Sequence, residues 1–508
     1  MLKKYLLGIL LSLTIFILNG CSNSQPTTNT NFYQGEYQKG RISYFSRYGY
    51  NAPETRIKNN TPYLDDTSHI RSGKFVGRGE NDFLRFYKDL NVQGYGSISD
   101  YWRWTYTIDS SAYSKSINKT LKSSGSSYIY TLENRRWIKK SIPNNPIGKL
   151  RDIVILERGN SGVVTYLLIK GSNGEYLVKG EYTIRKVLGL SKYNTGIDTD
   201  IKFAKYGENY KIKKVNASLL PSGFFAIERR GDHFTFYGGG FGHGAGMSQF
   251  GACDLTKNYG KDYEDVLGFY YKNVKLKNMY SLPNASKFIR VGLTTNNMLS
   301  TNHQNVGINI LAKSELKNSW FNIKLDKNDK VKILPHSGKL EIYVNGTKRA
   351  TTQEKVTLRS ANNKFMITTI RRGHTSTPTY RGSLEVRVSP QNPSCVNLIN
   401  EVFIEDYLLQ VVPSEMPRSF GIEALKVQAV AARTYALNDY LKKKYRNQGY
   451  HVLDSTLSQV YNNTNENPET REAVKKTYGQ VMLYNDQPID AIYYSTSSGM
   501  GASANTVW

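Results

Sequence analysis

The amino-acid sequence predicts an α+β fold in which strands predominate and a few helices occur. Two observations carry this prediction. Short apolar or alternating runs recur along most of the chain and are separated by turns that contain glycine or asparagine. Over residues 422–436, in contrast, apolar residues recur every three or four positions, which is the spacing of a helix with one buried face. The 508 residues are enough for about two to four ordinary domains.

The first 21 residues predict export from the cytoplasm. Lys3 and Lys4 precede an apolar run over 5–18, and Leu18-Asn-Gly-Cys21 places a small residue directly before a cysteine. This segment resembles a bacterial lipoprotein signal, which implies cleavage before Cys21 and lipidation of Cys21. A plain secretory signal that is cleaved elsewhere is the alternative. We therefore expect an extracytoplasmic protein anchored to the cell membrane by lipid, with the polar stretch 22–55 as its tether.

The region 56–276 predicts strands, two short helices and a glycine-rich loop. Its apolar runs lie at 104–108, 152–156, 163–169 and 175–178, and its helix candidates lie at 182–190 and 266–271. A strand that begins at His233 leads into the loop GGGFGHGAGMSQ (238–249). This loop lacks the G-K-[ST] of a phosphate-binding P-loop and the G-x-S-x-G frame of a serine nucleophile elbow. Because glycine has no side chain, we expect the loop backbone to approach a ligand closely.

A linker is predicted over 275–286, and the region 277–390 is predicted to form a smaller β-rich part. Its apolar runs lie at 288–293, 331–334, 340–344, 365–370 and 383–388. Asn345-Gly346, between the third and fourth of these runs, is typical of a tight hairpin turn.

The last region, 391–508, contains the carboxylate best suited to act as a general acid. Glu415 lies between Pro413 and Pro417, which restrict the backbone on both sides, and the alanine-rich helix over 422–436 follows. We therefore expect this carboxylate on a rigid support, with a pKa raised by the apolar residues beside it. The alternative is a structural role, in which Glu415 caps the N-terminus of the following helix.

The formal net charge of +27 indicates an anionic partner. Nucleic acid, anionic lipid and a cell wall that carries carboxylates and phosphates all fit this charge. Because the lysines are scattered along the sequence, a compositional bias of the genome explains the charge equally well. Cys253 and Cys395, which remain after the expected cleavage, lie in separate motifs without C-x-x-C spacing, so neither a disulfide framework nor a zinc site is indicated.

Several motifs of the chain occur together in one known family. They are EVFIEDY (401–407), VVPSEMP (411–417), EALKVQAVAARTYAL (423–437), Gln459-Val-Tyr461, TYGQVMLYNDQPIDAIYYSTSSG (477–499) and GFGHGAGMSQFGA (240–252). In these motifs the sequence resembles the stage II sporulation protein D family, which includes the amidase enhancer LytB. The resemblance covers most of 102–274 and 288–508.

The order of these motifs differs from their order in the family. There the SEMP helix precedes the GHGxGMSQ loop, whereas here the loop half, about 61–276, comes first and the chain stops at Trp508, where family sequences continue. Either the domain is circularly permuted, so that Trp508 lies close to the segment near Tyr63 and both halves form one catalytic domain, or two copies were each truncated. We expect the permutation, because it explains why the halves are complementary.

The resemblance implies a peptidoglycan lytic transglycosylase with Glu415 as its single acid and base. One carboxyl group is enough for this reaction, because the sugar's own 6-hydroxyl attacks and leaves a 1,6-anhydro-N-acetylmuramic acid end. A glycoside hydrolase needs two carboxylates, and none of Glu405, Asp406 and Glu423 has an evident reason to face Glu415. The alternatives are a non-enzymatic wall-binding protein that stimulates an N-acetylmuramoyl-L-alanine amidase, as the LytB branch suggests, and an inactive remnant.

Further residues are candidates for substrate binding because they lie in the family's active-site loop, beside the helix below Glu415, or at the end of a hydroxyl-rich run. His243 and Gln249 lie in that loop, and Gln428, Arg433 and Tyr435 lie beside the helix. Ser495, Ser497 and Ser498 end the hydroxyl-rich run. Ordinary packing is the alternative for all of them, and for His243 it takes the form of a hydrogen bond that fixes the loop.

The resemblance places the expected partners in the cell wall rather than among nucleic acids. They are peptidoglycan glycan strands and an amidase. Some family members hold zinc with cysteines and histidines near the motif that here contains Gln459, but in this sequence His451 stands alone. Because a tetrahedral zinc site needs four ligands, we expect no metal and no other cofactor.

Overall fold

The computed structural model describes residues 36–38, 41–53, 61–71, 75, 77–372, 377–463 and 466–508. These residues form two compact units. The split unit consists of the described residues up to Asn273 together with Ile492–Trp508. The continuous unit is the described part of Val274–Ala491. Both units combine helices with many strands, so the predicted α+β class is confirmed.

The larger part of the split unit is rich in strands. Its strands are β1 (Glu36–Gln38), β2 (Arg41–Ser43), β3 (Thr67–Ser68), β4 (Arg103–Asp109), β5 (Ile129–Glu133), β6 (Arg136–Ile138), β7 (Leu150–Gly159), β8 (Val164–Gly171), β9 (Glu175–Lys179), β10 (Asp200–Ala204), β11 (Lys211–Val215), β12 (Phe225–Arg230), β13 (His233–Gly239) and β14 (Met247–Ser248). Its helices are α1 (Glu80–Lys88), α2 (Ser110–Ser124), α3 (Glu181–Val187), α4 (Lys192–Thr195), α5 (Gln249–Tyr259) and α6 (Tyr263–Tyr270).

Two sheets and helix α2 enclose the core of the split unit. The sheets have the strand orders β1-β2-β7-β8-β9-β5-β6 and β11-β10-β4-β13-β12. Side chains in β4 alternate between buried and more exposed positions, as a strand with one face on the core requires. Trp104 from β4, Tyr113 from α2 and Leu167 from β8 are fully buried in this shared core.

The expected tether over 22–55 differs from the structure wherever that stretch is described. β2 pairs with β7, and Ile42, Tyr44 and Phe45 are at most 2% exposed. β2 lies between β1 and β7 in the sheet, so it covers main-chain groups that β7 would otherwise present unpaired. Residues 41–53 therefore belong to the folded unit, because the aromatic side chains in this otherwise polar stretch enter the core.

The continuous unit contains a large sheet, antiparallel except for the β16–β26 pair, and the helices of the candidate site. Its strands are β15 (Lys275–Asn278), β16 (Phe288–Leu293), β17 (Val306–Ile310), β18 (Ser314–Lys317), β19 (Asn322–Leu325), β20 (Lys330–His336), β21 (Lys339–Val344), β22 (Thr347–Thr352), β23 (Val356–Ile367), β24 (Thr379–Val388), β25 (Val396–Phe403), β26 (Val452–Leu453), β27 (Gln480–Tyr484) and β28 (Gln487–Pro488). Its helices are α7 (Ile404–Glu415), α8 (Ile422–Lys442) and α9 (Pro468–Lys476).

The sheet of the continuous unit runs in the order β22-β21-β20-β17-β23-β24-β25-β16-β26. β24 and β25 pair along their length, so the regions predicted as 277–390 and 391–508 share one sheet. The expected linker over 275–286 begins with β15, which pairs with β27. Because β27 lies about 200 residues further along the chain, the local sequence gave no sign of this pairing.

Helix α8 differs from the prediction of one buried face, because it is buried on most of its sides. Ala424, Ala431 and Thr434 are fully buried although they lie outside the apolar stripe read from the sequence. The helix contacts α7, α9 and β27, and small alanine side chains permit close approach on several sides at once.

The chain returns to the split unit at Ile492. It forms β29 (Tyr493–Tyr494), β30 (Met500–Gly501) and α10 (Ala504–Val507). β29 runs parallel to β14, and β30 pairs with β3. Ala504 N lies 3.1 Å from Leu64 O, so the end of the chain lies beside the segment that begins at residue 61. The permuted ancestry of the domain itself stays a prediction.

Among the described residues, no helix is long and apolar enough to cross a membrane. The expected signal segment and the expected lipidation site at Cys21 lie outside the described residues.

Candidate active site

Glu415 is the last residue of helix α7, and proline chemistry explains why the helix ends there. Pro413 lies within the last turn. Met416 has φ −136° and ψ 128°, the extended conformation that a residue before proline prefers, so the helix cannot continue towards Pro417. The predicted rigid support is therefore a helix end rather than a loop between two prolines. Glu415 does not cap α8, whose N-cap residue is Gly421.

The Glu415 carboxylate is half-buried and is held by a main-chain donor. Its Oε1 accepts a hydrogen bond from Val460 N at 2.7 Å. The preceding residue is tied to the same segment, because Ser414 Oγ accepts from Asn462 N at 3.2 Å and donates to Gln410 O at 2.6 Å. The end of α7 and residues 454–463, here called the site loop, are thus joined by two hydrogen bonds.

The site loop is fixed at its start by a buried ion pair. Arg372 Nη2 lies 2.6 Å from Asp454 Oδ2, and the two side chains are 1% and 0% exposed. Asp454 Oδ1 accepts from Thr294 N at 3.0 Å and from Thr294 Oγ1 at 2.6 Å. Charge-assisted bonds of this kind restrict geometry strongly, so this pair sets where the loop leaves the sheet.

Buried side chains fix the middle of the site loop. Tyr407 OH donates to Gln459 Oε1 at 3.2 Å, and Gln459 Nε2 donates to Ala432 O at 3.3 Å. Tyr461 OH donates to Asn400 Oδ1 at 2.9 Å. Burial raises the pKa of Tyr407, and the neighbouring Tyr461 and Glu415 raise it further, so the phenol stays a neutral donor. The Val460 N–H therefore reaches Glu415 from a segment held on both sides.

Arg433 stabilises helix α7 from inside the unit. It is fully buried, with Nη2 2.6 Å from Glu405 Oε2 and Nε 3.0 Å from Glu405 Oε1. Its Nη1 donates to Gln480 O at 3.1 Å. Because Glu405 lies in the first turn of α7, this bidentate pair anchors the helix that ends at Glu415. The geometry makes Arg433 a positioning residue rather than a group on the surface of the site.

Comparison with known proteins supports the interpretation of this segment. Residues 393–484, which include α7, α8 and the site loop, match the family described as "Stage II sporulation protein". This segment is therefore similar to a stage II sporulation protein domain. The resemblance predicted from the SEMP and Gln-Val-Tyr motifs is therefore confirmed for this part of the chain.

The relatives of the chain share only part of their length with it. The "Amidase enhancer" of Bacillus subtilis (strain 168) is 42% identical over 98 residues, which are 19% of this chain and 13% of that protein. The "Stage II sporulation protein D" of the same strain is 33% identical over 149 residues, which are 26% of this chain and 43% of that protein. Its namesake from Bacillus amyloliquefaciens is 31% identical over 154 residues, which are 28% of this chain and 41% of that protein. The chain thus spans less than half the length of each of these relatives.

Two other candidates on α8, Gln428 and Tyr435, differ in exposure. Gln428 is fully buried, whereas Tyr435 is half-buried. Burial, followed by the nearby carboxylate of Asp439, raises the pKa of Tyr435, so its hydroxyl is neutral near pH 7. Tyr435 is the better placed of the two to meet a ligand.

Glu405 and Glu423, two carboxylates near Glu415 in sequence, interact with other residues of the continuous unit. Glu405 is engaged by Arg433, and it also accepts from Tyr280 OH at 3.1 Å. Glu423 forms an ion pair with Lys426 one turn along α8. These contacts give neither carboxylate the role of the second group that a hydrolase needs.

In the split unit, His243 fixes the glycine-rich loop through two main-chain hydrogen bonds. Nε2 lies 3.1 Å from Tyr493 O, and Ala245 N donates to Nδ1 at 3.2 Å. A carbonyl accepts only from N–H, so Nε2 carries the proton and Nδ1 accepts. Burial, reinforced by the positive charge of Arg185, lowers the pKa of His243 to about 4. This geometry favours the structural alternative that the sequence left open for His243.

Two glycines of the loop approach another segment of the chain, and the expected approach of the loop to a ligand stays a prediction. A Cβ atom at Gly240 would lie 2.6 Å from Thr496 O, and one at Gly246 would lie 2.1 Å from Ile492 O. Both residues have φ +78°, which also favours glycine. The returning segment 492–508 therefore passes too close for any side chain at these positions.

The serine candidates of the returning segment lie against this loop. Ser497 and Ser498 are at most 2% exposed, whereas Ser495 is half-buried and its hydroxyl lies 3.2 Å from Thr496 Oγ1. Gln249, the first residue of α5, is 9% exposed. The structure thus brings His243, Gln249 and the three serines together in the split unit, and Glu415, Gln428, Arg433 and Tyr435 in the continuous unit.

Sequence reasoning missed His69, which is fully buried beside Ser497. His69 Nδ1 lies 2.6 Å from Ser497 Oγ, although the two residues are 428 positions apart. It also missed Arg372 and Asp454, which are 82 positions apart. Asp454 lies near the Gln459-Val-Tyr461 motif, and that proximity is the one signal that pointed towards this pair.

Among the described residues, no group of three or more histidine, cysteine, aspartate or glutamate side chains is arranged to hold a metal ion. His451, considered because relatives use histidine near this motif, accepts instead from Arg290 N at 3.0 Å through Nδ1. Cys253 and Cys395 are both buried free thiols.

Proposed function

We propose that this protein acts on the bacterial cell wall as a peptidoglycan lytic transglycosylase, with Glu415 as its acid and base. The observation that carries the proposal is the position of Glu415, half-buried at the end of α7 with Oε1 2.7 Å from Val460 N. The match of residues 393–484 to the stage II sporulation protein family supports it. The similarity to an amidase enhancer supports the wall-related role in general.

The proposed reaction uses the Glu415 carboxyl group twice. Neutral Glu415 gives its proton to the glycosidic oxygen while the bond from that oxygen to C1 of N-acetylmuramic acid breaks. The carboxylate then takes the proton of the same sugar's 6-hydroxyl, and O6 forms the new bond to C1. No water is consumed, and Glu415 is protonated again at the end. Because Oε1 accepts the Val460 N–H, the transferable proton belongs on Oε2.

The remaining candidates take supporting roles in this proposal. Arg433 positions α7 through Glu405, and Tyr435 offers a neutral hydroxyl to the sugar. The raised pKa expected for Glu415 stays a prediction, and so does substrate binding by His243, Gln249, Gln428, Ser495, Ser497 and Ser498.

A second candidate function is a wall-binding protein that stimulates an N-acetylmuramoyl-L-alanine amidase. The 42% identity over 98 residues to a protein named amidase enhancer favours it. In this case Glu415 has no chemical role, and the protein presents wall strands to its partner enzyme.

The test measures products released from peptidoglycan, with and without prior amidase treatment. The purified protein should release fragments that end in 1,6-anhydro-N-acetylmuramic acid, which mass spectrometry identifies. Glu415→Gln keeps the size of the side chain and removes the transferable proton, so release should fall by a factor of about 100 or more. Glu423→Gln, a matched carboxylate-to-amide change on α8, should leave release unchanged.

Other products would select other functions. Reducing ends in place of anhydro ends would indicate a hydrolase with a second carboxylate. If no fragments form, and an added amidase runs faster with the protein whether or not Glu415 is changed to Gln, the enhancer function replaces the transglycosylase.

We also propose that the protein is held at the outer face of the membrane by lipid on Cys21. The lipoprotein-like segment that ends at Cys21 supports this location. Cys21→Ala should abolish incorporation of labelled fatty acid and move the protein out of the membrane fraction. If the Cys21→Ala protein still incorporated labelled fatty acid, the lipid-anchor proposal would be wrong.

A further inference from the structure

The split unit carries a groove whose walls are basic. The groove has a volume of about 1090 Å³. Cationic side chains from three elements line it, namely Lys115, Lys119 and Lys122 from α2, Lys149 and Arg151 from the start of β7, and Arg229 from β12. Asp232 is the acidic residue of the lining. All six cations are exposed to solvent.

The spacing of these residues shows why they converge. Lys115, Lys119 and Lys122 are separated by four and three positions, so they lie on one face of α2. Lys149 and Arg151 flank the buried Leu150, and alternation along the strand turns both towards the opposite face. Two regular elements therefore present their cations to the same space.

Hydrogen bonds hold the two walls of the groove together. Asn118 Nδ2 donates to Gly148 O at 2.9 Å, and Asn118 Oδ1 accepts from Ile147 N at 2.9 Å. Ser114 Oγ accepts from Leu150 N at 2.8 Å. Helix α2 is thus fastened to the segment that leads into β7, and the groove is formed before any ligand arrives.

Five of the six cations of the groove form no ion pair with a described carboxylate. Lys115, Lys149 and Arg151 form no ion pair with a described carboxylate. Lys119 and Lys122 bond to main-chain carbonyls, of Tyr193 and Ile142 respectively, which leaves their charge uncompensated as well. Like charges placed this closely repel each other, and an anion that binds between them relieves that repulsion.

The residue types that line the groove also indicate which class of anion it can bind. The lining itself contains no aromatic side chain, and the exposed Tyr193 beside Lys119 is a single ring, so the groove lacks the row of aromatic side chains on which successive bases of a nucleic acid stack. Leu150 is its apolar residue and is only 6% exposed, so the groove offers no anchor for a lipid surface. Serine and asparagine side chains alternate with the cations, among them Ser110, Ser111 and Asn144, and they suit the hydroxyl groups of a polyol.

We propose that this groove binds a polyanionic polyol polymer, a chain of hydroxylated units that carries phosphodiester or carboxylate charges. The site is separate from Glu415, which belongs to the continuous unit. It gives the protein a second point of attachment to a polymer-rich surface, independent of any glycosidic cleavage.

The test compares the full chain with two triple variants that lose the same charge. Lys115→Gln, Lys149→Gln and Arg151→Gln together remove three of the five groove cations that form no ion pair with a described carboxylate. Arg135→Gln, Arg136→Gln and Lys202→Gln remove three exposed cations of the split unit that do not line it. Binding is measured by calorimetry and co-sedimentation to polyglycerol phosphate and to polygalacturonate, with dextran as the neutral polymer.

The unmodified protein should bind one or both anionic polymers but not dextran, and affinity should fall steeply with salt. The groove variant should lose at least about tenfold in affinity, and the control variant should lose less than about twofold. The two anionic probes then tell whether phosphodiester or carboxylate is preferred. Both variants should keep the far-UV circular dichroism of the parent protein.

Three results would overturn the proposal. Equal losses in the two variants would show that net charge alone attracts the polymer. Tighter binding to a single-stranded RNA or to anionic vesicles, lost in the groove variant, would assign the groove to another class of partner. If neither anionic polymer bound at low salt, the groove would not be a binding site for polyanions. Because Glu415→Gln leaves the groove intact, polymer binding by that variant separates this proposal from the transglycosylase.

Discussion

His69 has the most thoroughly buried imidazole of the split unit, and its environment makes it sensitive to acid. It is fully buried, with Nδ1 2.6 Å from Ser497 Oγ. Burial, reinforced by the charge of Lys272, lowers the pKa of His69 from 6.5 to about 3. A protonated imidazole at this position would lie among Tyr270 and Phe269 without a counter-charge.

This burial predicts that His69 makes folding pH-dependent. The unfolded chain binds a proton at His69 with a pKa of 6.5, whereas the folded protein binds it only near 3. Between these values the unfolded state holds more protons, so stability falls as the pH falls. From pH 7 to pH 5, His69 should remove about 2 kcal/mol from the free energy of unfolding.

Chemical denaturation at pH 7 and pH 5 measures this effect. His69→Gln should shrink the difference between the two pH values by about 2 kcal/mol, even if it lowers stability at both. His233→Gln, which removes an exposed histidine of the same unit, should leave the difference unchanged. A pH difference that is the same in all three proteins would contradict the role of His69.

The sequence did not predict the contacts between individual residues of the site. Glu415 was predictable because prolines and an alanine-rich helix frame it. Its partner Val460 acts through a main-chain N–H, which no side-chain pattern reveals. Ser497 was predictable as a hydroxyl-bearing residue, but its contact with His69 depends on a chain reversal across 428 positions.

At the scale of single elements, the site loop carries the geometry around Glu415. Its first residue, Asp454, is held by Arg372, and its middle residue, Val460, donates to Glu415. Removing one member of a buried ion pair leaves the other charge without compensation, which typically costs about 3–5 kcal/mol.

Asp454→Asn should therefore destabilise the continuous unit by about 3 kcal/mol, measured by denaturant unfolding. Adding Arg372→Met removes the stranded charge, so the double variant should be less destabilised than the sum of the two single variants. Glu341→Gln breaks the more exposed pair with Lys348 in the same unit and should have a much smaller effect. Strictly additive effects of Asp454→Asn and Arg372→Met would mean that the two charges do not stabilise each other.

The elements themselves divide into those that local sequence specifies and those that tertiary contacts specify. β4, β16 and β21 lie within a residue or two of their predicted positions, because alternation or a continuous apolar run marks each of them. Helix α7 was not predicted, since Pro413 inside it has no N–H to donate to the preceding turn and therefore argues against a helix. β15 was predicted as a linker because its pairing partner β27 lies far away in sequence.

At the scale of the whole molecule, the chain leaves the split unit after Asn273 and returns to it at Ile492. From the inverted order of two motif groups the sequence predicted that Trp508 lies close to the segment near Tyr63, but not that the chain changes units at Ile492. It could not indicate that residues 41–53 join the same unit, because their composition is that of a tether and only a few buried aromatic residues oppose that reading.

The returning segment should be essential to the split unit, because it supplies strand partners that no other described segment replaces. β29 pairs with β14 and β30 pairs with β3. Isolated bridges join Phe241 to Thr496 and Ala245 to Ala502. Deleting residues 492–508 leaves the glycine-rich loop without these partners, and glycine-rich backbone loses more conformational entropy than other backbone when it is ordered.

Hydrogen exchange followed by mass spectrometry tests this dependence. In the protein shortened to residue 491, amide protection should fall at least about tenfold over 240–248, because local opening there no longer breaks the bonds to 492–508. Protection of β16 and β25, which pair with each other inside the continuous unit, should persist. A synthetic peptide of residues 492–508, added in excess, should restore protection of the loop in proportion to its concentration. If protection over 240–248 is unchanged by the deletion, the loop is held by other contacts and the returning segment is dispensable. If β16 and β25 lose protection to the same extent, the two units do not fold independently.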